Sequence, residues 1–106
     1  MTFGLPDKTI EKMRAVFAKY RHVEKVIIYG SRAKGNYKNG SDIDLTMLGD
    51  SITDRDRRDI FFEVDNLPIP YMVDLSVFLK LNHTELEAHI LRVGQIFYER
   101  ARVEEL

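Results

Sequence analysis

Residues 30–44 read Gly30-Ser31-Arg32-Ala33-Lys34-Gly35-Asn36-Tyr37-Lys38-Asn39-Gly40-Ser41-Asp42-Ile43-Asp44. A short β-branched run, Val26-Ile27-Ile28, leads into this stretch, and Leu45-Thr46-Met47-Leu48 follows it. The pattern is a buried strand from Val23 to Tyr29, a Gly, Asn and Lys-rich loop over 34–41, and a second strand from Ile43 to Leu48. Alternate side chains of a strand share a face, so Asp42 and Asp44 are expected to project together while Ile43 turns into the core.

Working outward, Ile10, Met13, Phe17 and Tyr20 recur at spacings of three and four, which predicts an amphipathic helix from Pro6 to Tyr20. Thr53 and Asp56 form a capping-box pattern that opens a helix through about Leu67, with Ile60, Phe61, Val64 and Leu67 on its apolar face. Pro68 and Pro70 stop it. Met72 to Leu79 alternates as a third strand containing Asp74. Asn82 with Glu85 reads as the cap of a last helix carrying Leu86, Ile90 and Val93. Gly94 ends that helix, and Ile96-Phe97-Tyr98 adds a short strand. The order predicts an α/β (α+β) domain over residues 1–106, a mixed β-sheet backed by helices on one side.

Composition bounds the function. The chain has 106 residues, 44% of them hydrophobic, with 16 basic and 17 acidic side chains and a net charge of -1. That balance argues against a general nucleic-acid binder, which usually carries a basic face. The absence of cysteine removes disulfides, thiolate metal sites and a cysteine nucleophile, and it fits a reducing compartment. No apolar run approaches the ~18 residues of a membrane span, and Met1–Tyr20 has no signal-peptide core. A cytoplasmic protein without membrane contact is expected.

Asp42 and Asp44 repel one another, and a hard divalent cation with oxygen ligands relieves that cost. Magnesium commonly takes one or two carboxylates plus substrate phosphates, an arrangement suited to phosphoryl or nucleotidyl transfer. Taken alone, Asp-x-Asp is often a solvated strand end. Gly30-Ser31, taken alone, reads as a strand-to-helix turn with Ser31 as an ordinary cap. Together they read as a phosphate cradle beside a metal site: Gly30 allows close backbone approach, and Ser31 offers a hydroxyl and an N–H. Asp74 is either an edge-strand acid or a third carboxylate, ligating a second metal or deprotonating an attacking hydroxyl. Arg32, Lys34 and Lys38 supply positive charge for a triphosphate, although loop lysines are commonly just solvated. His22, His83 and His89 lack metal-like spacing and read as packing or surface residues. Gly30 and Gly35 have P-loop spacing, but Asn36-Tyr37 stand where Lys-Ser/Thr must be. Asp42-x-Asp44-x-Thr46 begins like a calcium loop, but Met47 replaces its glycine.

The segment Gly30-Ser31-x10-Asp42-x-Asp44, with Asp74 on a later strand, resembles the nucleotidyltransferase superfamily that includes DNA polymerase beta. The wording Gly-Ser-Arg-Ala-Lys-Gly followed by Ser-Asp-Ile-Asp-Leu is similar to the minimal nucleotidyltransferase (MNT) proteins, over roughly Val23 to Tyr98. The resemblance implies three carboxylates on adjacent strands, binding of Mg-ATP, and transfer of AMP to a hydroxyl with release of pyrophosphate. Carried onto this sequence, Gly30, Ser31, Arg32 and Lys34 bind nucleotide, while Asp42, Asp44 and Asp74 are catalytic and bind the metals. It further implies an antitoxin whose partner is an all-helical HEPN toxin, modified on a tyrosine. Larger relatives carry a further helical domain, and nothing in this chain replaces it. The expected acceptor is therefore on a partner protein. Homodimerisation stays open, as do a weakly catalytic module that sequesters its partner and a transferase acting on an aminoglycoside-like small molecule.

Overall fold

The computed structural model describes residues 1–101. Four helices and four strands alternate along them: α1 (Asp7–Ala18), β1 (Lys25–Tyr29), α2 (Gly30–Lys34), β2 (Ile43–Leu48), α3 (Asp54–Asp65), β3 (Val73–Val77), α4 (Thr84–Val93) and β4 (Gln95–Glu99). A single turn of 3-10 helix, Phe78–Lys80, follows β3. The strands form one sheet in the order β3-β2-β1-β4. β1 runs antiparallel to both β2 and β4, and β2 pairs with β3 in parallel through the α3 crossover, so the sheet is mixed as expected.

Register fixes what each face carries. Val26 faces Met47, Ile28 faces Leu45, and Leu45 faces Leu75. All are buried in one cluster with Ile10, Met13 and Phe17 of α1 and with Ile60 and Val64 of α3. A bulge between Val26 and Ile27 breaks the strict alternation against β4. Consecutive Phe97 and Tyr98 thereby both reach the Phe17 ring, at centroid distances of 6.4 and 6.0 Å. The α3 start carries the capping box: Thr53 Oγ1 accepts from the Asp56 amide, and Asp56 accepts from the Thr53 amide. Asp56 also meets His22 Nδ1 at 3.0 Å, which ties this helix end to the turn after α1.

Several expectations change. The helices do not all lie on one side. The His89 ring on α4 stands edge-on to Tyr29, whose register with Asp44 puts it on the face away from the core cluster. The space where a Gly94 side chain would begin is occupied by Ile27 Cγ2. α4 therefore covers part of the second face. Phe61 is 39% exposed rather than a core residue, because Ile60 and Val64 already fill the inward stripe of α3. The α4 cap is His83 rather than Asn82: its Nδ1 accepts from the Leu86 amide at 3.0 Å, using a ring nitrogen where a short oxygen was expected.

Candidate active site

The carboxylates gather at one end of the second face. In the parallel pair, Asp44 stands opposite Asp74, and in the antiparallel pair Asp44 stands opposite Tyr29. Ile43 and Leu45 are fully buried on the core side, so the strand pleat leaves the Asp44 side chain no direction but outward from the core. Deeper along the same face, Ser76 Oγ donates to Thr46 Oγ1 at 2.9 Å, a paired hydroxyl floor under the acids.

Asp42 is placed differently. β2 begins at Ile43, so Asp42 lies just outside the ladder, and the pleat does not set its direction as the sequence pattern suggested. It nevertheless lies within electrostatic reach. Burial first, then the Asp74 and Asp42 charges, push the Asp44 carboxyl above its usual range, with His89 pulling the other way. The Tyr29 phenol is likewise pushed up, mainly by burial and then by Asp74 and Asp44. The Asp74 and Asp42 charges acting on Asp44 are what a hard cation with oxygen ligands would relieve. Among the described residues, no three acidic or histidine side chains stand close enough to form a ready-made metal cluster. Asp42 and Asp74 also line an open cleft of about 430 Å³ with Arg57, Phe61 and Met72, beyond the β3 edge.

Gly30 sits directly after Tyr29, with φ +73°, a left-handed conformation that disfavours any side chain. A Cβ built there would lie 2.4 Å from Asp44 Oδ2. The glycine thus leaves room for the Asp44 carboxylate, a tighter reason than the close approach of a ligand. Ser31 is half-buried and Lys34 is exposed on the short α2, which ends at Gly35 with φ +85°.

Arg32 is a correction. Expected to meet a triphosphate, it is instead 3% exposed and turned into the protein. Its Nε and Nη2 donate to the Ser41 carbonyl at 3.0 and 2.8 Å, and Nη1 donates to the Phe3 carbonyl at 3.0 Å. The rings of Tyr37 and Tyr71 flank the guanidinium at 5.3 and 5.0 Å. With its donors spent on carbonyls it is not available as a phosphate ligand. Tyr29 and His89 are the neighbours of the site that motif reading missed. Tyr29 was visible in principle, since it shares the alternate phase of β1 and directly precedes Gly30. His89 carries no local signal, because only the return of α4 across the sheet brings it there.

The family described as polymerase beta, nucleotidyltransferase, has a model that matches residues 11–103 of this chain. A relative named "Putative protein adenylyltransferase", from Methanocaldococcus jannaschii, is 44% identical over 46 residues. That match covers 42% of this chain and 46% of the relative, just under half its length. Among solved structures, a chain from a toxin-antitoxin crystal structure with AMP-PNP superposes with a TM-score of 0.68 at 20% identity, over 91% of this chain and 75% of that one. A chain from the MntA-HepT toxin-antitoxin gives 0.66 at 15% identity, over 90% and 74%. A chain from the complex of tri-AMPylated Shewanella oneidensis HEPN toxin with MNT antitoxin gives 0.65 at 16% identity, over 88% and 71%. At these identities the likeness establishes the fold.

Proposed function

The chain belongs to the polymerase beta nucleotidyltransferase family, and from that premise we propose that it is a magnesium-dependent adenylyltransferase that moves AMP from ATP to a hydroxyl on a partner protein, acting as antitoxin to a HEPN-type toxin. The observation that carries the reading is the register of Asp44 with Asp74 on adjacent strands, with Gly30 making room beneath Asp44.

Asp42, Asp44 and Asp74 would hold the magnesium. When bound, the ion would neutralise the carboxylates and the triphosphate and supply Lewis-acid stabilisation of phosphate charge. The chain's own groups do the rest. The Ser31 hydroxyl donates to phosphate oxygens, and exposed Lys34 adds a mobile positive charge at the triphosphate end. Asp74, solvent-exposed and shared with the cleft beyond β3, takes the proton from the incoming hydroxyl. That oxygen forms the new bond to the α-phosphorus, and pyrophosphate leaves on the opposite side. The open cleft and exposed Phe61 and Met72 suit an acceptor presented by another protein better than a small molecule that needs enclosure. The similar solved complexes, in which an MNT antitoxin is joined to a HEPN toxin and, in one, to its tri-AMPylated form, support this choice of partner.

The test is incubation of the full chain with Mg, ATP labelled at the α-phosphate, and a HEPN protein encoded beside it. Label is expected on the HEPN chain and in trace amount at most with Asp44→Asn. Transfer that is undiminished in the variant would overturn the mechanism. A second reading, a module that sequesters its partner with little turnover, draws on the lack of a preformed metal cluster among the described residues. It is favoured if the Asp42→Asn, Asp44→Asn double variant still neutralises the toxin in cells.

A further inference from the structure

We infer that Arg32 is a positioning residue whose guanidinium fixes the place of Asp42 by gripping the peptide in front of it; this rests on the metal-dependent transfer proposed above. Asp44 and Asp74 need no such help, because the β2–β3 ladder holds both. Asp42 precedes that ladder and closes the loop that begins at Gly35, so its carboxylate is only as fixed as the loop end.

Two anchors define that end. On the far side, the Ile43 amide donates to the Met72 carbonyl at 2.9 Å. On the near side, the Arg32 fork closes on the Ser41 carbonyl through both Nε and Nη2. A peptide unit is planar, so pinning the Ser41 oxygen also orients the Asp42 N–H and the bond into the Asp42 Cα. Only the two backbone dihedrals of Asp42 then separate one anchor from the other. The remaining bonds of the loop, Lys38 amide to Ser41 Oγ and Ser41 amide to Lys38 carbonyl, are internal and shape the turn without tying it to the sheet.

The clasp is built to hold still. Burying a guanidinium is costly unless its donors are met, and here they meet main-chain oxygens while two tyrosine rings cover its faces. The Phe3 carbonyl reaches it from a tight turn in which both Phe3 and Gly4 have positive φ, 57° and 70°. A left-handed phenylalanine is uncommon, and this one presents its carbonyl to the clasp. A Cβ on Gly4 would lie 2.3 Å from the Tyr37 ring, so the turn and the loop are packed without slack. A lysine in place of Arg32 keeps the charge but cannot make the planar two-point grip.

Arg32→Lys in the full chain tests this. Without metal, amide hydrogen exchange over residues 36–43 should quicken while α1 and the core strands keep their protection. Affinity for Mn2+ in the presence of ATP, read by electron paramagnetic resonance, should weaken about tenfold, and kcat for AMP transfer should fall about 10- to 100-fold, the range for residues that orient metal-site groups. KM for ATP should move little. Paired with Asp42→Asn, the losses should not add, because both substitutions remove the same carboxylate's contribution. If Arg32→Lys does not fold, Tyr37→Leu, at a side chain 39% exposed, removes one ring from the clasp and should move exchange and Mn2+ affinity the same way by less. Unchanged exchange over 36–43, or losses that simply add to those of Asp42→Asn, overturn the inference. If the native protein binds no Mn2+ with ATP, the transferase reading falls, and the exchange result still decides whether Arg32 holds the loop.

Discussion

The two faces of the one sheet are made from alternate residues of the same strands, yet they answer to different demands. On the core face Ile43, Leu45 and Met47 of β2 are fully buried and pack against α1 and α3. On the other face Asp44 stands between them in sequence, facing Asp74 and Tyr29, over a floor of Thr46 and Ser76. The lesson is a division of labour at single-residue spacing: one face supplies the rigidity, and the other carries groups that cost stability. Asp44 is the clearest case, since burial first and then the Asp74 and Asp42 charges raise its proton affinity.

The comparison is broken most severely at Asp44. Asp44→Asn should reduce transfer by about a thousandfold or more, the scale of losing a group that stabilises transition-state charge. Its melting temperature should hold or rise, because a repelled carboxylate is replaced by a neutral amide. A fall in melting temperature would mean that the acid supports the fold. The same asymmetry gives a pH test. Asp44 binds its proton more tightly folded than unfolded, so its own contribution to the metal-free fold is present at acidic pH and lost as pH rises through the elevated Asp44 range. Asp54, Asp56 and Glu63, whose carboxyls are held low, act with the opposite sign, so the stability difference between the native chain and Asp44→Asn across pH is what isolates Asp44. Magnesium with ATP at neutral pH should restore stability in the native chain and not in Asp44→Asn.

Leu45→Ala breaks the other face. It should cost about 2–5 kcal/mol in denaturant unfolding, as core truncations do, while the folded fraction keeps its AMP-transfer rate. Gly30→Ala strikes the seam between the faces. The left-handed φ alone costs about 1–2 kcal/mol, and the new methyl displaces Asp44 Oδ2, so unfolding and transfer should both suffer. Thr53→Ala, far from the acids, removes half a capping box and should cost about 1 kcal/mol with transfer unchanged.

What the sequence made legible follows the range of the interactions. The strand Ile43–Leu48 and the Thr53/Asp56 box were readable because neighbouring residues determine them. That Asp44 and Asp74 sit on adjacent strands was implied only by the family resemblance, and their register was not readable, because strand patterns do not say which strands pair or in what alignment. The role of Arg32 was not: its partners Phe3 and Tyr71 lie far from it in sequence, and a loop arginine beside a Gly-Ser bend looks the same whether it points out or in. The place of α4 was hidden for a related reason. Alternation reveals that a sheet has two faces but not which helix covers which, so His89 reached the acid cluster without any local sign.

The account stands on the carboxylates of the second face acting through a divalent ion on bound nucleotide, and calorimetry reads that without knowledge of the acceptor. The native chain should bind ATP tightly with magnesium and weakly in EDTA, and Asp44→Asn should lose the difference. Equal binding in EDTA, or an Asp44→Asn curve that overlays the native one in magnesium, would contradict it.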